Sequence, residues 1–89
     1  MEFDWDPPKR DKVLAERGID FANAVAIFSG HVCVTQDVRR DYGEVRMTAI
    51  GCVGDRYYTV VYTDRGLVRW VITAWSSNRK ERAAWQRSR

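Results

Sequence analysis

Between Glu44 and Trp75 the chain has room for little except a sheet folded back on itself. Strand-length segments from about Glu44 to Val53, Arg56 to Thr63 and Leu67 to Trp75 are separated only by Gly54-Asp55 and Asp64-Arg65-Gly66. The first link has the glycine-first pattern of a type II′ hairpin turn, and the second reads as a slightly longer hairpin turn. Neighbouring strands joined this tightly run antiparallel, so the second half of the chain is expected to form a meander.

The first half reads differently. Glu2-Phe3-Asp4-Trp5 alternates acidic and aromatic residues, which predicts a short strand with Phe3 and Trp5 on one side. Asp6 is placed to cap a helix that Pro7 can begin, running to Arg17 and closed by Gly18. Asp20 is expected to cap a second helix with the stripe Phe21, Ala24, Val25 and Phe28, ended by Gly30. A strand over His31 to Gln36 follows, then a polar, mobile loop from Asp37 to Gly43. Ser77 or Asn78 caps a last helix, Asn78 to Gln86, with Glu81 in its first turn or paired with a basic neighbour such as Arg82. The expected order is β-α-α-β-β-β-β-α, an α+β fold whose helices pack on one face of an antiparallel sheet. All 89 residues are expected to form a single domain.

Charge distribution separates the end of this domain from the rest. From Arg65 onward the chain carries Arg65, Arg69, Arg79, Lys80, Arg82, Arg87 and Arg89 against Glu81 alone, although the net charge is only +3. An apolar fraction of 45% with 30% charged residues predicts a globular chain, and no apolar run is long enough to span a bilayer. The acidic start lacks the layout of a secretory signal, so the expected compartment is the cytoplasm. Cys33 and Cys52 are then expected to be reduced structural thiols, outside any metal-ligand spacing. His31, the lone histidine, rules out a multi-histidine metal site and reads as a local hydrogen-bonder at a helix–strand junction. Neither a metal nor another cofactor is expected.

Strand parity predicts which side chains are free. In the last strand Val68, Trp70, Ile72 and Ala74 share one face as core, while Arg69, Val71, Thr73 and Trp75 share the other. In the strand from Glu44, the Val45, Met47, Ala49 and Val53 face is expected to be buried. The opposite face carries Glu44, Arg46, Thr48 and Ile50. With both apolar faces against helices, Arg46, Thr48, Arg69, Thr73 and Trp75 project onto one open surface beside the basic last helix. Arginine and indole rings so arranged suit a polyanion, and single-stranded RNA is the natural candidate. Trp5 is assigned to the core. Tyr57, Tyr58 and Tyr62 fall at core or hairpin-edge positions, and Trp85 packs the last helix on the sheet.

An ordered set of short motifs runs through nearly the whole chain. It comprises Phe3-Asp4-Trp5-Asp6-x-x-Lys9, Gly18-Ile19-Asp20-Phe21-x-x-Ala24, Phe28 and Gly43-Glu44-x-Arg46, then Ile50-Gly51, Val60-Val61-Tyr62-Thr63, Ile72-Thr73-Ala74 and Arg79-x-Glu81-Arg82. In this order they resemble the BrnT toxins of type II toxin–antitoxin pairs, which are related in fold to the RelE ribonucleases. The resemblance implies a metal-independent endoribonuclease that cuts mRNA and slows translation. It also implies a neighbouring BrnA-like ribbon-helix-helix antitoxin that binds the toxin and contacts operator DNA on its behalf. The chain departs from the family pattern at Glu16-Arg17, where Lys-His is usual, at Trp75, where arginine is usual, and more mildly at Trp85 for tyrosine. A second reading is therefore an attenuated member kept as an antitoxin-binding corepressor or RNA-binding module. A DNA-binding domain is a weaker third reading, since no helix-turn-helix pattern is present.

Metal-free RNA cleavage needs a base for the 2′-hydroxyl, cations for the dianionic phosphorane and an acid for the leaving 5′-oxygen. Arg46 and Arg69 are the expected phosphate clamps, because a guanidinium grips phosphate oxygens bidentately and keeps its charge. Glu44 is either the general base or the ion-pair partner that orients Arg46. Arg17, Arg79 and Arg82 are expected to support RNA binding, with Trp75 stacking on a base.

Overall fold

The computed structural model describes residues 1–89 as a sheet with helical elements on both sides. Its elements are β1 (Glu2–Trp5), α1 (Pro7–Arg17), α2 (Phe21–Ala24) with a 3-10 turn (Val25–Ser29), β2 (Val32–Asp37), β3 (Arg46–Val53), β4 (Arg56–Arg65), β5 (Val68–Ser76) and α3 (Arg79–Arg87). The sheet order is β1-β5-β4-β3-β2. The meander is present as expected, but β1 pairs parallel with β5, Phe3 opposite Arg69 and Trp5 opposite Val71. The sheet is therefore mixed rather than antiparallel. A strand reached through two helical elements can enter in either direction, which no local signal reports.

Local chemistry explains the element ends. Pro7 opens α1, and Gly18 at φ 69° closes it with its N–H on the Leu14 carbonyl. Asp6 adopts the extended N-cap backbone but its carboxylate makes no capping hydrogen bond, contrary to its expected part. Asp20 does accept from the Ala22 N–H, and Arg10 donates to both Asp20 oxygens at 3.1 and 2.6 Å. The expected second helix keeps only one α turn before tightening to 3-10. Its fully buried residues are Phe21, Ala24 and Ile27, so Ile27 joins the predicted stripe, while Val25 and Phe28 pack against the core only partly buried. The second hairpin is also shorter than expected: β4 continues through Arg65, and Gly66-Leu67 alone makes the turn, with Gly66 at φ 60°.

The core lies between one face of the sheet, here the first face, and α1, α2 and the 3-10 turn. Ala49, Val60, Tyr62, Val71 and Ala74 meet Val13, Ile19, Phe21, Ala24 and Ile27 there. Gly51 lets the 3-10 turn settle onto β3. A Cβ at that position would stand 2.5 Å from the Ile27 Cβ and 3.2 Å from Val32 Cγ1. Gly51→Ala is thus expected to destabilise by about 1–3 kcal/mol, read as a lower thermal midpoint, because neither branched neighbour has room to retreat.

A β-bulge corrects the parity read for β5. Val61 pairs with Thr73 and Tyr62 with Val71, so Ile72 has no partner on β4. One extra residue reverses facing for everything beyond it. Val71 and Ala74 are both core, while Thr73 and Trp75 point to the second face. Upstream of the bulge, Arg69 shares the first face with Val71, and Trp70 joins the second face instead of the core. Helices on a single face is likewise overturned. The α3 residue Trp85 packs edge-on against Tyr57 at 5.4 Å, and Glu81 accepts from the Trp75 indole N–H. Tyr57 and Trp75 both belong to the second face, so α3 crosses that face. The Asn78–Glu81 capping box, complete in both directions, starts α3 there.

Candidate functional site

The second face gathers Arg46, Thr48, Thr73 and Trp75 as parity predicts, but not Arg69. Arg69 lies on the first face, its guanidinium 4.8 Å from the Phe28 ring and 4.2 Å from the Tyr62 ring. It donates to both oxygens of Asp64, at 2.8 and 3.0 Å. Hydrogen bonding to Arg69 holds the Asp64 carboxyl below its ordinary range, and burial pushes the Tyr62 phenol up. Arg46 and Arg69 thus stand on opposite sides of the sheet.

Arg46 is held from below and from one side. Its guanidinium lies 3.9 Å over the Tyr42 ring, and its Nε is 3.5 Å from Glu44 Oε2, an ion pair without hydrogen-bond alignment. That Nε is buried and has no hydrogen-bond partner, while 27% of the side-chain surface stays open. The open part of the guanidinium is the part that an arriving anionic oxygen can reach, while Glu44 keeps the buried Nε electrostatically paired. Glu44 lies just before β3, so loop geometry rather than strand alternation brings it to Arg46. Its other oxygen accepts from Arg65 Nη2 at 3.3 Å, and Arg65 stacks 4.7 Å over the Trp70 ring. A cavity of about 230 Å³ opens here, lined by Lys9, Arg46 and Arg65 against Asp6 and Glu44, with Trp70 and Ile72 as its apolar wall.

A second, more positive hollow of about 400 Å³ lies at the other end of the sheet. Arg17, Arg56 and Arg82 face a single carboxylate there, that of Asp55, with Ser76 and Ser77 between them. Arg17 reaches over the edge of β5, which β1 leaves uncovered beyond Val71, and donates through Nη1 to Thr73 Oγ1 and the Ala74 carbonyl at 2.9 and 3.1 Å. Arg82 donates to the Ser77 carbonyl at 3.0 Å. Between the two ends, Trp75 lines a shallow cavity with Thr48, Asp37, Arg39 and Glu81. From Arg46 to Cys52 along β3 is six residues, roughly 20 Å at ~3.3 Å per residue. The more positive hollow wraps the end of the sheet, with Gly18, Ile19 and Tyr58 on its first-face side. Arg17 and Arg82 bring its charge to the second face, which thus carries cations near both ends and an indole midway. Arg79 stands exposed at the start of α3 and joins neither hollow.

Sequence reasoning counted Arg65 in the basic block and Lys9 in a motif but named neither as a site residue, although both line the cradle, and it placed Trp70 in the core. It also read the loop after β2 as mobile and so missed Tyr42 and Asp37. Gly43-Glu44-x-Arg46 was the available signal that this loop belongs to the site. His31 behaves as expected: its Nε2 is 2.8 Å from Ser88 Oγ, and its carbonyl accepts from the Trp85 indole. Cys33 and Cys52 are free thiols, and Cys52 Sγ donates to the Gly54 carbonyl at 3.1 Å. No helix is long and apolar enough to cross a membrane. A family model described as a ribonuclease toxin, BrnT, of type II toxin-antitoxin system matches residues 5–81. No curated protein matches the chain.

Proposed function

The chain belongs to the BrnT family of ribonuclease toxins of type II toxin–antitoxin systems, and from that premise we propose that it is a metal-independent endoribonuclease cutting mRNA along the second face of its sheet. The observation that supports this most is Arg46, a cation stacked on Tyr42 with part of its guanidinium open at the wall of a cavity that also holds Glu44, Lys9 and Arg65. In this reading Arg46 binds the scissile phosphate and stabilises the charge that builds on it. Glu44 takes the 2′-hydroxyl proton or keeps Arg46 aimed. Lys9 and Arg65 add positive charge, and Trp70 offers a stacking surface. Arg17 and Arg82 hold phosphates further along the strand, and the Trp75 ring supports an intervening base. Arg69 is left to hold the fold. We read the architecture as the RelE-like ribonuclease fold.

Family membership implies an antitoxin partner. We propose that it is of the BrnA-like ribbon-helix-helix type, that it covers this basic face, and that the toxin reaches operator DNA only through it. The compartment in this reading is the cytoplasm, where mRNA is.

The test is incubation of purified, antitoxin-free protein with RNA in EDTA. Cleavage is expected to persist, and binding is expected to weaken steeply with salt. About four to six engaged cations give a slope of roughly −3 to −4 in log K against log[salt], at about −0.7 per phosphate on a single strand. Cleavage lost in EDTA and restored by a divalent cation would overturn the metal-independent mechanism. RNA that is bound but left intact, with or without metal, would favour the attenuated reading. That reading has its own support in the two departures from the family pattern. Arg17 is engaged with Thr73 and Ala74, and the Trp75 indole is held by both Glu81 oxygens at 3.2 Å.

A further inference from the structure

Asp37 and Arg46 face each other across the open end of the β2–β3 pair, yet no ion pair joins them. Tyr42 explains the gap. The loop between the strands folds back so that the Tyr42 ring lies under the Arg46 guanidinium at 3.9 Å, while its hydroxyl donates to Asp37 Oδ2 at 3.2 Å. Asp37 is further held by Arg39, which donates from Nε and Nη2 at 2.9 Å each and from its backbone N–H at 3.2 Å. Only 3% of the Asp37 side chain is exposed. Its natural cross-strand partner would be Arg46, and a direct Asp37–Arg46 fork would consume the guanidinium edge that a phosphate needs.

We propose that Tyr42 and Asp37 are positioning residues for Arg46. Asp37, already bound by Arg39, fixes the Tyr42 hydroxyl, and the Tyr42 ring supports the guanidinium from one face while leaving its hydrogen-bonding edge for a phosphate. The catalytic part of this proposal rests on the ribonuclease reading above; the placement of Arg46 does not. An aromatic face attracts the cation without occupying any of its N–H donors, which an acidic partner cannot do. The same loop residues close on one another through the Gly43 N–H, which donates to Asp41 Oδ1 at 2.9 Å, so the segment returns to β3 in a defined path.

The experiment compares wild type with Tyr42→Leu, Tyr42→Phe and Asp37→Asn in RNA cleavage, and reads the Arg46 Nε–H signal in ¹⁵N-labelled protein. Tyr42→Leu is expected to lower kcat by roughly 30-fold with KM within about threefold, since misplacing a catalytic group acts on the transition state. Tyr42→Phe keeps the ring but loses the hydroxyl that Asp37 holds, so it is expected to recover part of that loss and to stand about 3–10-fold below wild type. Asp37→Asn is expected to fall by about 3–10-fold, as Tyr42 loses its anchor. The ring of Tyr42 should shift the Arg46 Nε–H signal, and both Tyr42→Leu and Asp37→Asn should move it towards that of a free arginine. Wild-type protein that cleaves no RNA would sink the ribonuclease reading, and with it the catalytic part of this proposal. The Nε–H signal would still decide whether the two residues place Arg46. A Tyr42→Leu protein that cleaves within about twofold of wild type, or an Arg46 signal unmoved by Asp37→Asn, would overturn the positioning role.

Discussion

Arg46→Ala is expected to abolish the growth arrest that follows induction of this protein alone, and to slow cleavage of purified RNA by about 100- to 1,000-fold, the usual cost of removing one charge-stabilising donor. The prediction is sharp because the substitution should leave the fold alone. Arg46 stands at the end of β3 with a buried N–H that finds no acceptor, so truncation removes an unsatisfied group instead of creating one. Glu44 keeps its bond from Arg65. Losing the stack on Tyr42 should cost about 0.5–1 kcal/mol, a drop of roughly 2–8 °C in thermal midpoint that leaves the protein folded under assay conditions. Arg46→Lys retains charge but loses the planar fork and its stacking on Tyr42, and should sit between the two. Full toxicity in Arg46→Ala, with cleavage close to wild type, would remove the centre of the proposed site.

Arg69→Ala should behave in the opposite way, with a large loss of stability and an unchanged rate per folded molecule. The Arg69 side chain is 18% exposed and lies against both the Phe28 and Tyr62 rings while forking onto Asp64. Each cation–π contact is worth about 0.5–2 kcal/mol, and the buried stem adds packing. A combined loss of about 2–3 kcal/mol corresponds to a drop in thermal midpoint of roughly 10–20 °C for a domain this small. Acid titration of stability gives an independent check. The folded Asp64 carboxyl lies below its unfolded value because Arg69 donates to it. Its contribution is therefore present above a pH of about 4, near the unfolded carboxylate pKa, and lost as pH falls through the folded value. Arg69→Ala should flatten this part of the acid response. Cleavage measured near 15 °C, where the variant is folded, should match wild type. An Arg69→Ala protein as stable as wild type but unable to cleave would return Arg69 to the reaction.

These two arginines also show where reading from sequence succeeds and fails. Both were placed on one open face by the same alternation rule. The rule held in β3, which pairs without interruption with β2 and β4, and failed in β5 at Ile72. A bulge needs only one residue more on one strand than on its partner, and Val-Ile-Thr-Ala carries no glycine or proline to announce it. Trp70 was misplaced for the same reason, which hid the stack of Arg65 on it. Glu44 and Arg46 were correctly paired, though by a loop that the polar run from Asp37 to Gly43 hid. The strength of that loop comes from Asp37 accepting bonds from Arg39 and Tyr42 together, which composition alone does not reveal.

What the sequence determined by itself was most of what neighbours within a few residues govern. Pro7 and Gly18 bound α1, Gly54-Asp55 turns β3 into β4, and the Asn78–Glu81 capping box starts α3. These follow from backbone dihedrals and nearby hydrogen bonds, which short stretches of chain specify alone. Tertiary structure decided the parallel entry of β1, the passage of α3 across the second face, and the side of the sheet on which each arginine lies. Each depends on contacts between residues far apart in the chain, such as Phe3 with Phe28, Arg17 with Ala74 and Tyr57 with Trp85 on the second face. Their free energy arises only when the sheet has closed, so no local propensity carries the information, and the basic corner of the chain becomes a continuous surface only once the sheet gives it a face.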